Sequence, residues 1–209
     1  MSIAFLDIEV STSSNKILDL GAVNDFDAEI HTPSQGDFFN FIKDAEFIGG
    51  HNIVNHDLKY LAHLDLGKKK IVDTLYLSPL MFPMRPSHKL LKDEKILSDA
   101  LNNPLLDAQK SRDLFYDEVN AFKALDDDLK TIYFSLLKDS AEFKGFFEFL
   151  GYIIPTKGIL RIFQGNSENK NTAKLIKKRF VGSICDNAEI DRFIEYYPIE
   201  LAYALAVIN

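Results

Sequence analysis

Between Ile3 and Val10 the chain reads IAFLDIEV, a run with the composition of a buried strand and two carboxylates set into it. Strand side chains alternate between faces, so Ile3, Phe5, Asp7 and Glu9 share one side, and Ala4, Leu6, Ile8 and Val10 the other. Both acids therefore point the same way. Two like charges at the end of an apolar strand repel, and burying them unpaired costs several kcal/mol, on the order of the penalties for buried ions. Either the strand end frays and both acids are solvated, or something positive compensates them.

The residues that follow fix the surroundings of this strand. STSSN is a turn cluster, and KILDLGAVN with DFDAEIHT reads as a hairpin of two further strands. QGDFFNFIKD places Phe38, Phe41 and Ile42 at helical spacing, and EFIGG is a short strand closed by two glycines. IVNHDLKYLAHL, with Ile53, Leu58, Leu61 and Leu64, is read as a helix, and KKKIVDTLYL as a strand running into another helix. This alternation predicts an α/β fold with a mixed sheet flanked by helices.

MFPMRPSHKLL reads as a loop, and the long helical pattern after it is interrupted at Asn102-Asn103-Pro104. Asn103 is a good N-cap and Pro104 suits the first helical position, so a new helix is expected to start there and to carry Asp107. The charged run LDDDLK near residue 125 marks a junction. We expect a domain over residues 1–125 and, over 126–209, a smaller aromatic-rich, partly basic, α-rich extension or connector. The closing run IEYYPIELAYALAVIN predicts an apolar helix, as in a piece of a longer protein.

Of 209 residues 46% are hydrophobic and 26% charged, which suits a globular chain and excludes disorder over most of its length. No apolar run reaches spanning length and no signal peptide is read, so a soluble, cytoplasmic protein without membrane contact is expected. Cys185 is the single cysteine, which excludes an intrachain disulfide and a cysteine-rich zinc site. A formal charge of −7 argues against a protein that coats DNA generally. Its distribution is uneven. Residues 1–50 hold nine acids against Lys16 and Lys43, whereas residues 157–183 hold Lys157, Arg161, Lys170, Lys174, Lys177, Lys178 and Arg179 against Glu168 alone. The acidic half suits cations and the basic stretch suits phosphate.

Asp57 and Asp107 join Asp7 and Glu9 as candidate ligands, four carboxylates from one strand and two helices. Hard oxygen ligands on separate rigid elements suit a pair of Mg²⁺ or Mn²⁺ ions, which would supply the missing positive charge. FLDIEV, KILDLGAV, GHNIVNHDLKYL, VDTLYLSPLMFP and LLDA, in this order and at these separations, resemble the DEDD superfamily of 3′–5′ exonucleases, the ribonuclease-H-like proofreading type. The resemblance covers roughly residues 1–125. It implies a ribonuclease-H-like sheet and two divalent ions held by Asp7, Glu9, Asp57 and Asp107. Asn52 would be a supporting, substrate-side residue, and the substrate a single-stranded or 3′-ended DNA, with RNA left open.

One departure matters. The family carries a histidine five residues, or a tyrosine four residues, before the final aspartate, where it helps to deprotonate the attacking water. Here Asn102 and Asn103 stand there. An amide is no general base, and loss of one commonly costs about 10² to 10⁴ in rate. His88 in the preceding loop is the candidate substitute; His51 and His56 are read as partners of the turn. Residues from FVGSICDN to the end are similar to the connector that joins such domains to a RecQ-family helicase, which implies a covalently linked helicase domain. On that reading Asn102, Lys174, Lys177, Lys178 and Arg179 touch substrate, and Tyr152, Phe163 and Phe180 stack on bases. A second reading keeps the exonuclease fold as a weakly active or inactive module that binds nucleic-acid ends or a partner. A third is a related nucleotide or RNA hydrolase.

Overall fold

The computed structural model describes residues 1–64, 66–90, 103–153 and 168–209. Asn102, Lys157, Arg161 and Phe163, all named above, lie outside these. Five strands form one mixed sheet: β1 (Ile3–Val10), β2 (Ile17–Asn24), β3 (Glu29–Thr32), β4 (Phe47–Gly50) and β5 (Lys70–Asp73). Their order is β3-β2-β1-β4-β5, so the strand with the two acids is central. β2 lies antiparallel to β1 and β3 antiparallel to β2, whereas β4 is parallel to β1 and β5 to β4.

Alternation along β1 divides the core as its sequence predicts. Ala4, Leu6 and Ile8 meet Phe38 and Ile42 of α1 (Gln35–Ile42) and Ile53 and Leu61 of the following segment. On the other face Ile3 and Phe5 meet α3 (Thr74–Met81), α4 (Pro104–Ala124) and α6 (Ala141–Leu150) in a larger cluster. Rings of Phe5 and Phe115 stand 5.3 Å apart, and Phe122 and Phe146 5.5 Å. Each fully buried side chain of this size contributes about 1.5 to 3 kcal/mol.

That cluster crosses the junction at residue 125 and extends to Ala206. It takes in α5 (Asp127–Leu137), α7 (Glu168–Arg179), α8 (Ile190–Tyr196) and α9 (Pro198–Ile208). Helix α6 lies directly on β5: a Cβ at Gly145 would come within 1.9 Å of the Ile71 carbonyl oxygen, so only glycine allows this approach. Phe180 is buried within the cluster, so it is not the exposed stacking platform expected of it. Tyr152 packs its ring against Phe122 and Phe134, at 5.4 and 5.2 Å, and is likewise occupied. Among the described helices, none is long and apolar enough to cross a membrane.

One element is much shorter than its pattern predicts. Of residues 53–64 only α2 (Asp57–Tyr60) is helical. Asn52 takes the left-handed conformation, φ 64°, and the N–H groups of Asn52 and Val54 donate to the Asp73 carboxylate at 2.8 and 3.1 Å. The left-handed Asn52 lies outside the helical backbone region, and the Asp73 carboxylate fixes that turn in place, so the helix is confined to a single turn further on.

Candidate metal centre

β1 outruns its parallel neighbour: its last partner on β4 is Phe5 with Gly49, while its pairing with β2 continues through Glu9. Asp7 and Glu9 sit in this overhang. Asp7 lies opposite Gly21 of β2, and Gly21 is where helix α4 touches down. A Cβ on Gly21 would stand 2.1 Å from the Leu105 nitrogen and 2.3 Å from the Pro104 carbonyl carbon. The missing side chain therefore seats the start of α4 against the strand beside Asp7. Asn103 caps that helix as expected, its Oδ1 accepting from the N–H groups of Leu105 and Leu106 at 3.0 and 3.3 Å, with Pro104 at the first position. Asp107 follows in the first turn.

Asp7, Glu9 and Asp107 each bring a carboxylate oxygen within 4.8 Å of the others, and all three are half-buried. Like charges at such a distance repel by roughly 3 to 4 kcal/mol per pair at an effective dielectric constant of 20. A divalent cation would turn that repulsion into coordination, and three carboxylate oxygens suit a hard cation. The acids border a cavity of about 610 Å³, shared with His51, Asn52, His56 and Lys89. Its size falls in the range of small-molecule sites, about 300 to 1,000 Å³.

Asp57, the fourth expected ligand, is not in this group. It is buried at the start of α2, and its Oδ1 accepts from the N–H of Ile8, the residue between the two strand acids, at 3.1 Å. The overhang leaves that N–H without a partner on β4, so the carboxylate closes the edge of the sheet. Burial pushes the Asp57 carboxyl up from the ordinary value, against the pull of His56 and the Ile8 N–H. His56 Nδ1 stands 3.7 Å from Asp57 Oδ1, and that partnership raises the imidazole above its ordinary value.

Asp73, which sequence reasoning passed over, organises the floor of the site. It is fully buried and accepts from Asn52, Val54 and, at 2.9 Å, Leu75, whose helix it caps. The residue pair Asp73-Thr74 before an apolar helical run was the available signal, an N-cap signature. His51 is anchored beside it: Nδ1 lies 2.9 Å from Thr74 Oγ1, and the Thr74 hydroxyl donates to the Gly50 carbonyl at 3.3 Å. The Thr74 oxygen thus accepts from Nδ1–H, which leaves Nε2 as the lone-pair nitrogen. That Nε2 is buried without a partner among the described residues, and burial, with His88 nearby, lowers the His51 imidazole to about 4.

His88, the expected substitute base, is turned elsewhere. Its Nδ1 is 2.9 Å from Ser78 Oγ on α3, and it borders a neighbouring cavity rather than the one holding the acids. Asn103 is committed to its cap. The expected basic residues lie on α7, which packs on α5 and α8. Lys174, Lys177 and Lys178 are exposed there, but Arg179 is held by Asp126 at 3.2 Å and by Asn209 Oδ1 at 2.8 Å. Lys89, which sequence reasoning did not single out, is the lysine beside the acids.

No family model, no curated protein and no solved structure matches this chain.

Proposed function

We propose that this chain is a metal-dependent 3′–5′ exonuclease of ribonuclease-H-like fold that removes nucleotides from a DNA 3′ end. The observation that carries the reading is the convergence of Asp7, Glu9 and Asp107, from a central strand and a separate helix, on one open cavity. A divalent cation joining three acids this close lowers their mutual repulsion. The central position of β1 in a mixed sheet flanked by helices agrees with the resemblance of residues 1–125.

Two Mg²⁺ or Mn²⁺ ions, when bound, would activate water for attack on the terminal phosphodiester and stabilise the leaving 3′ oxygen. Asp7, Glu9 and Asp107 hold the metal. Asp57 fixes the peptide between the strand acids through Ile8, and so sets the angle at which both carboxylates leave the strand. Asn52, in its left-handed conformation, carries its side chain to the cavity wall, where Oδ1 accepts from Asn55 Nδ2 at 3.2 Å.

A second reading is an exonuclease-fold module of low or no activity that binds ends within a larger helicase protein. It is favoured by the commitment of Asn103 to its cap and of His88 to Ser78. One assay separates the two. End-labelled single-stranded and recessed duplex DNA is incubated with the chain in Mg²⁺, Mn²⁺ or chelator, beside Asp7→Ala. The exonuclease reading expects stepwise shortening from the 3′ end, dependent on metal and lost in Asp7→Ala. Absence of shortening in both metals, or equal shortening by Asp7→Ala, overturns it.

A further inference from the structure

A second cavity, of about 320 Å³, opens between the 82–90 loop and α4. Lys89 and Leu90 line both it and the acid cavity, so the two adjoin across one stretch of loop. Its charged groups are Arg85, Lys89 and Lys110, with Asp113 and Asp117 opposed to them and His88 between. On the helix side Lys110, Asp113 and Asp117 follow Asp107 at intervals of three and four residues. Such spacing makes one stripe along a helix. Asp107 borders the acid cavity, and the groove takes up the stripe one turn later, running from Lys110 to Asp117 along α4 for about 10 Å, at 1.5 Å per residue.

Charge along this stripe is arranged by its neighbours. Arg112 stands 3.3 Å from the Asp113 carboxylate and 2.7 Å from that of Asp27, so its charge is shared between the two. Arg85 is steadied over the Phe82 ring, 4.0 Å from its centroid. A scissile phosphate at Asp7, Glu9 and Asp107 is followed by further phosphates, and a strand held only at its end would diffuse away between cuts. Its next phosphates need cations beside the cluster. Lys89 lines the acid cavity and the adjoining groove, whereas α7 packs on α5 and α8.

We propose that this groove is the track for the substrate strand, in which Arg85, Lys89 and Lys110 hold the phosphates next to the scissile one in a single-stranded polynucleotide. The proposal rests on the exonuclease reading for the position of the scissile phosphate. Recognition through phosphates is blind to base sequence and strongly salt-dependent. Each lost contact lowers the dependence of log affinity on log salt by about 0.7 for a single strand.

The test measures binding apart from cleavage. An Asp7→Asn, Asp107→Asn background removes both the repelling charge and the hydrolysis. Fluorescent oligodeoxynucleotides and oligoribonucleotides of two and eight residues are titrated with it at several salt concentrations. The same is done after adding Arg85→Ala, Lys89→Ala and Lys110→Ala together, and separately Lys174→Ala, Lys177→Ala and Lys178→Ala. We expect the groove variant to weaken octamer binding at least about tenfold and to flatten its salt slope by about two, as three lost phosphate contacts require. Dimer binding is expected to change least, a length dependence that general destabilisation would not produce. Equal losses for DNA and RNA mark the phosphates as the feature read; a loss confined to one of them assigns the groove to that polymer. Octamer binding that is absent, unchanged by the groove variant, or weakened as much by the α7 variant overturns the proposal. If wild-type chain shortens DNA but its binding ignores the groove, the exonuclease reading stands and the track falls.

Discussion

Six acids among the described residues differ in what their oxygens meet. Asp7, Glu9 and Asp107 are half-buried and converge on a cavity. Asp57, Asp73 and Glu118 lie behind them and are buried. Asp57 is served by one backbone N–H from another element and Asp73 by three, so both act as clamps that join distant segments. Glu118 has none among the described residues, where both its oxygens are buried without a partner, and burial, with Asp73 nearby, holds its carboxyl well above the usual range. The same chemical group can face a cavity, hold backbone N–H groups or have its pKa raised by burial, according to what surrounds it.

The comparison breaks most severely at Asp73. Asp73→Ala would leave three N–H groups without their acceptor and cost about 3 kcal/mol or more in urea unfolding, at 1 kcal/mol or more for each. Loss of less than about 1 kcal/mol would show that water replaces the carboxylate without cost. Behind the acids, His51 ties stability to pH. Its folded value of about 4 lies below its unfolded value of 6.5, so the unfolded chain takes up the proton first. Its contribution is complete above pH 6.5 and falls away as pH drops toward 4, by up to about 3 kcal/mol. Unfolding followed across that window should show the slope in the native chain and a shallower one in His51→Gln.

Gly21→Ala tests how the front group is assembled. Its Cβ must push the start of α4 away from β2, at a cost of about 1 to 3 kcal/mol typical of overpacking. Divalent-ion affinity should fall with it, because Asp107 is carried away from Asp7; unaltered affinity would mean the helix start is not what sets the cluster. The last change stabilises. Glu118→Leu removes a buried polar group without hydrogen bonds and should gain about 1 to 3 kcal/mol near pH 8. Because the folded carboxyl is raised, the native chain is favoured below the unfolded value, and that advantage is lost as pH rises through the folded one. The variant's gain should therefore shrink as pH is lowered toward 4.5.

Much of this was legible in the chain, and the rest failed for identifiable reasons. Period-two alternation gave β1 with the right residues on each face, and Asn103-Pro104 announced the start of α4. Asp7, Glu9 and Asp107 could be selected because acids interrupting apolar patterns are conspicuous. Residues 53–64 misled because the turn at Asn52 is fixed by the Asp73 carboxylate, which comes from about twenty residues later. Asp57 shows the same limit: its type and position suggest a ligand, but the open edge beside Ile8 decides where its oxygen goes. Basic residues crowded between 157 and 183 drew attention to α7, although adjacency in sequence says nothing about which cations stand near the acids. Lys89, isolated in a loop, has no local signature at all.

Asp7, Glu9 and Asp107 together could hold a divalent ion. Mn²⁺ titration followed by electron paramagnetic resonance of the free ion tests it without reference to any substrate. Wild-type chain should take up Mn²⁺, Asp107→Asn should weaken uptake by about tenfold or more, and Asp139→Asn, at a distant exposed position, should leave it unchanged. Equal uptake by wild type and Asp107→Asn would contradict the account.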